Sequence, residues 1–112
     1  MKRVFICSPY RKNEFHGVYY NHHIAILACR YAISQGYAPY APHLYLPMCL
    51  NDRDEDQRWT ALDIGREFIF VCEELWQIGD YVSEGMQLEI ELAEDLKRKI
   101  RYIDTERLKV RL

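Results

Sequence analysis

The sequence has no long apolar run. Nowhere does it approach the roughly 20 apolar residues of a membrane span, so membrane insertion is not expected. Lys2, Arg3 and then Ser8-Pro9 break up any apolar stretch at the start, so no signal peptide is read there. There is no excess of basic charge either. Fifteen Lys and Arg face seventeen Asp and Glu, for a formal charge of -2. That balance gives no basic face for nucleic acid. The final stretch from Lys97 to Arg111 is locally basic, as a solvated tail or a phosphate contact. No CxxC pair is present. Cys7, Cys29, Cys49 and Cys72 lie far apart, which points to reduced, mostly buried thiols in a cytoplasmic protein. Internal repeats and low-complexity segments are also lacking.

What is present is a balanced globular composition: 112 residues, 49% hydrophobic and 29% charged. This is a normal length for one domain, here expected over residues 1–112. A chain this short buries a smaller share of its surface than a large one. A homodimer or higher homo-oligomer is therefore expected, with a site that a second subunit can complete.

The pattern of elements alternates. "RVFIC" (3–7) reads as a buried strand that ends in the polar loop "SPYRKNEF". Helical spacing of Ile24, Leu27, Ala28, Tyr31 and Ala32 marks a helix over 19–35, and Gly36 stops it. "YAPYAPHLYLP" is too rich in proline for a long helix or a central strand, and reads as a short strand followed by a loop. A second helix begins at Asp54 or Asp56 and runs to Cys72. "ELWQIG" is a third strand, Gly85 opens a third helix, and "IRYI" (100–103) is a fourth strand. This order predicts an α/β fold, a three-layer sandwich with flavodoxin-like winding and a four- or five-stranded parallel sheet. Ligands of such sheets bind outside the carboxyl ends of the strands. The loops "CSPYRKNEF", "APHLYLP" and "GDYVSEG" leave those ends.

One carboxylate on the third helix stands apart. With about 100° per residue from Met86, Gln87, Glu91, Glu94, Asp95 and Arg98 share a solvated arc. Glu89 instead falls between Leu96 and Ala93 in the apolar arc. An unpaired buried carboxylate costs several kcal/mol. Two readings stand side by side: a core-edge glutamate bonded to a tyrosine or arginine, or a group lining a ligand cavity. Near a helix N-terminus and strand ends, the second makes Glu89 a nucleophile or base.

"SEGMQLEIELA" resembles the helix motif of the nucleoside 2-deoxyribosyltransferase superfamily: a glycine, three residues, a glutamate, and an alanine four further on, here Gly85, Glu89 and Ala93. "VFICSPY" is similar to that superfamily's first strand and loop, with Pro9 and Tyr10 matching and Ser8 in the place of its glycine. The resemblance implies a nucleoside or nucleotide ligand. Glu89 would attack the anomeric carbon, and Tyr10 would orient it or contact the sugar. Ser83 matches a serine of the branch that hydrolyses deoxynucleoside 5′-monophosphates, where it holds the phosphate at the helix N-terminus. Gly85 and Met86 follow in the same turn. Asp80 stands in the loop where the superfamily carries an acid or base-binder. The "PYAPHLYLP" loop, "CEELW" and "SEGM" look closer still to a group of short phage and bacterial proteins. Glu91 departs from the motif, where glycine is usual.

Other residues carry alternatives. Ser83 alone also reads as an N-cap. His43, in the proline loop, is a general acid or base or a hydrogen-bonded surface histidine. Asn21 contacts ligand or caps the first helix. Arg58 or Arg66 binds a phosphate if turned inward, or forms a salt bridge. His22 and His23 point about 100° apart on a helix and suit one metal poorly, so no metal and no cofactor are expected. Two functions follow: N-glycosidic bond hydrolysis or deoxyribosyl transfer through Glu89, or a phage-type binding protein that sequesters a nucleotide-derived ligand. A subunit whose site has decayed into an interaction surface is a third.

Overall fold

The computed structural model describes residues 1–109. The basic stretch noted above ends outside them, at Arg111.

Four strands form one parallel sheet: β1 (Arg3–Cys7), β2 (Ala38–Tyr40), β3 (Glu74–Ile78) and β4 (Lys99–Ile103). Their order is β2-β1-β3-β4, which is the flavodoxin-like order without its fifth strand. Phe5 pairs with Tyr40 on one side and Leu75 on the other, and Trp76 pairs with Arg101. Helices α1 (Val18–Ser34), α2 (Leu46–Cys49), α3 (Glu55–Val71), α4 (Glu84–Asp95) and α5 (Thr105–Leu108) complete the chain.

Strand alternation sorts the core into two layers. Val4, Ile6, Trp76 and Ile78 pack with Ile24, Ala28 and Ala32 of α1 and Leu108 of α5. Phe5, Cys7 and Leu75 point the other way, onto Ile69 of α3 and Met86 and Ala93 of α4. The two central strands are therefore apolar on both faces, as their near-continuous hydrophobic runs require.

Local chemistry sets the helix ends. Gly36, at φ +85°, ends the turn after α1. Asp54 caps α3 by accepting from the Gln57 N–H, and Ser83 caps α4 by accepting from Met86 N–H. The proline-rich segment, expected as loop after β2, holds two short helical turns instead. A 3-10 turn spans Pro42–Leu44, and α2 follows. Each has a proline in its first turn, where a missing N–H costs nothing.

A polar knot closes the amino ends of the strands. Glu74 is only 2% exposed. Its carboxylate accepts from Tyr37 Oη at 2.8 Å and from Trp76 Nε1 at 2.9 Å. Burial works to raise its pKa. The Trp76 and Tyr37 bonds, with Lys99 and Lys2, outweigh that and hold it below the ordinary value. The Arg101 guanidinium lies 4.8 Å from the Trp76 ring centroid on the same sheet.

Candidate functional site

The strand order reverses between β1 and β3, and a crevice is expected outside the carboxyl ends there. A cleft of about 770 Å³ occupies that position. Its walls are the loop after β1, the segment from Pro42 to Arg53, one stripe of α3 and the first turns of α4. The α3 stripe is Gln57, Arg58, Ala61, Leu62 and Gly65, spaced as one helix face.

Glu89 forms part of the cleft wall and is half-buried. Two neighbours hold its carboxyl group. The Cys7 thiol, at the end of β1, donates to Oε1 at 3.5 Å. On the other side is Gly65, whose missing Cβ would stand 3.2 Å from Oε2. Any larger residue at 65 would press on the carboxyl group. Burial raises the Glu89 pKa from 4.5 to about 7, against the lowering effect of the Cys7 bond. The same contact, added to complete burial, pushes the Cys7 thiol well above its ordinary range. Cys7 is thus a neutral thiol that orients Glu89, not a thiolate nucleophile.

Helices α3 and α4 start at the cleft and run side by side in the same direction. Their register is read from two close approaches. Gly65 meets Glu89, and one turn earlier the Leu62 Cδ2 atom lies 3.5 Å from the place a Gly85 Cβ would take. The small residue at 85 lets the first turn of α4 approach α3.

Other sequence candidates fall in and out of the cleft. Ser8, Pro9, Tyr10, His43, Ser83, Gly85 and Met86 all line it. Ser8 Oγ and His43 Nε2 are 2.7 Å apart, tying the end of β1 to the Pro42–Leu44 turn. Burial first, and the His22 charge second, lower His43 to about 4, so its ring is neutral at pH 7. Tyr10 makes no hydrogen bond to Glu89 among the described residues. The hydrogen bond to the Glu89 carboxyl group comes instead from Cys7.

Two residues lie elsewhere. Asn21 is buried, and its amide donates to the carbonyls of Tyr10 at 3.3 Å and Arg11 at 3.0 Å. It secures the loop from behind rather than lining the cleft or capping α1, whose N-cap is Gly17, with no side-chain cap. Asp80 is exposed and does not line the cleft. Gly79, at φ +78°, turns the chain just before it. Arg58 and Arg66 divide as their helix positions dictate. Arg66 pairs with Asp63 at 3.7 Å, while Arg58 lines the cleft.

Cys7 and Gly65 were missed in the sequence. A cysteine ending an apolar strand reads as core. An isolated glycine inside a helical pattern shows only its cost to the helix, not what it faces.

Residues 2–103 match the sequence model of a family described as a domain of unknown function, DUF7768. The chain belongs to that family. This DUF7768 chain is also similar in fold to a solved 2-deoxyribosyltransferase from the psychrotolerant bacterium Bacillus psychrosaccharolyticus. The TM-score is 0.68 and the identity 15%, over 91% of this chain and 72% of the other. No curated protein matches the chain. No helix among the described residues of the DUF7768 chain is long and apolar enough to cross a membrane.

Proposed function

We propose that the cleft binds a nucleoside or nucleotide and that Glu89 opens its N-glycosidic bond. The observation that carries this is the Glu89 carboxyl group, half-buried in the wall of a cleft of ligand size and wedged between the Cys7 thiol and Gly65. A volume of about 770 Å³ is in the range of small-molecule sites.

The reaction follows from that placement. A Glu89 oxygen lone pair bonds to the anomeric carbon as the carbon–nitrogen bond breaks. The electron pair leaves with the base, which takes a proton from water. A water molecule then breaks the Glu89–sugar bond, restoring the carboxylate, and its proton goes to the hydroxide left when the base was protonated, which makes the protein a hydrolase. A second base in place of water makes it a transferase. This is double displacement through a covalent glycosyl-enzyme. Cys7 keeps one carboxyl oxygen oriented, and Gly65 leaves room for the other. With the Glu89 pKa at about 7, the ionised, nucleophilic form grows as pH rises from 6 to 8.

Incubation with the common deoxynucleosides and their 5′-mono- and diphosphates, followed by chromatography of free base, tests the reading. Base release that Glu89→Gln abolishes supports it. Absence of free base from every one of them overturns it.

One observation favours a second reading, in which the protein holds its ligand without turnover. Asp80, expected as the acid or base-binder, is exposed and does not line the cleft. Unchanged nucleotide recovered after heat denaturation of a complex would support this sequestering role.

A further inference from the structure

The register of α3 and α4 lays out the cleft like a ruler, and the ruler ends in a cation with no ion pair among the described residues. At the first level, Gly65 meets Glu89. At the second, one turn nearer the mouth, Leu62 meets Gly85 in the first turn of α4. The N–H groups of Glu84 and Gly85 have no acceptor within the helix there, so this level favours an anion. At the third level, one further turn out on α3, stands Arg58. It is seven residues before Gly65, about 10 Å along the axis at 1.5 Å per residue.

Arg58 is half-buried and lines the cleft. Among the described residues, no carboxylate lies within ion-pair distance of it. Lys12 and Arg53 also line the cleft without an ion pair among the described residues, but both are exposed, and several other arginines are engaged. Arg3 pairs with Glu73, Arg66 with Asp63, and Arg98 donates to the Phe70 carbonyl. Arg11 bridges the cleft mouth to Asp52 at 3.2 Å. Charge also segregates at the mouth. Arg11, Lys12, Arg53 and Arg58 line it against the carboxylates of Asp52 and Glu84, in a chain of formal charge -2.

We infer that the ligand carries at least two phosphates in line, a nucleoside 5′-diphosphate or longer, with Arg58 as the cation for the outer phosphate. The inference rests on the glycosidic reading only for direction: the anomeric carbon is set at Glu89. A 5′-α-phosphate then sits about one helical turn from that carbon, level with the open N–H groups of α4. A second phosphate reaches outward by part of another turn, and the Arg58 side chain covers the remaining span. A nucleoside leaves both levels empty. A monophosphate fills one of them and leaves Arg58 unpaired in a partly desolvated wall. A guanidinium pairs with phosphate through parallel hydrogen bonds, so its loss falls on the outer phosphate alone.

Calorimetric titration of the Glu89→Gln protein tests this without turnover. The probes are the four common 2′-deoxynucleosides, their 5′-monophosphates, their 5′-diphosphates, and inorganic pyrophosphate. For at least one base, the diphosphate is expected to bind tenfold or more tighter than the monophosphate. Arg58→Gln, added to the same protein, is expected to erase that gap and leave monophosphate affinity within twofold. Diphosphate and monophosphate binding within twofold of each other, or an equal loss of both with Arg58→Gln, overturns the inference. So does the failure of every probe to bind. The two proposals fail separately. Base release from a monophosphate with no diphosphate preference removes this inference and keeps the glycosidic reading. A diphosphate preference that depends on Arg58, with no base released by the wild-type protein, does the reverse.

Discussion

Replacing Glu89 by glutamine should stabilise the protein, and should do so more strongly as pH rises. The folded-state pKa of Glu89 is about 7, above its ordinary 4.5, and burial is the main cause. The folded protein therefore holds this proton more tightly than the unfolded chain. The stability it contributes is present in full below pH 4.5 and is lost as pH climbs through 7. At about 1.4 kcal/mol for each pH unit between the two values, the loss is on the order of 3 kcal/mol by pH 8. Solvent reaches the carboxyl group from the open side of the cleft, so this figure is an upper limit. Glutamine keeps the shape and never ionises. Its melting temperature relative to wild type should rise by up to about 12 °C between pH 4.5 and pH 8, at roughly 4 °C per kcal/mol for a chain of this size. Any fixed gain or loss from the amide is the same at both ends of the range, and so are the other titrations. Calorimetry or circular dichroism across that range reads the difference directly. A gap between variant and wild type that stays flat within about 1 °C would mean a solvated carboxylate. The argument for a tuned nucleophile would then be wrong.

Two further outcomes follow from the same geometry. Gly65→Ala gains about 1 kcal/mol of helix propensity, while its methyl stands 3.2 Å from Glu89 Oε2. The melting temperature should hold or rise while base release falls about tenfold or more through misplacement of the carboxylate; wild-type turnover in a stable variant would refute the wedge. Asn21→Ala strips the hydrogen bonds to the Tyr10 and Arg11 carbonyls. It should cost about 1–3 kcal/mol in a denaturant melt, and no loss would mean that the loop is held by other contacts.

The architecture was legible because burial leaves a periodic trace. "RVFIC" and "ELWQI" are continuous apolar runs because both faces of β1 and β3 are covered. Glu89 stood out for the same reason: a single charge broke the apolar arc of α4. The partners of Glu89 were not legible. Cys7 and Gly65 come from a strand and a helix 58 positions apart in number, and only packing brings them onto one carboxyl group. Arg58 and Arg66 looked alike in the sequence, eight residues apart on one helix. Which one turns inward depends on where α4 lies. Asp80 was placed by its loop and Asn21 by its nearness to the start of the first helix. Asp80 is exposed outside the cleft lining, and Asn21 is taken up by two carbonyls of the β1–α1 loop.

The Glu74 knot and the Glu89 cleft sit at opposite tips of strands only five residues long. About 13 Å of backbone separates the two tips of β3. Changes made more than about 10 Å apart, with no shared neighbour, generally combine without interfering. The molecule thus offers a foundation and a workbench that can be modified independently. Fastening the knot more firmly would leave tolerance to spare for trying costly substitutions among the groups that meet the ligand.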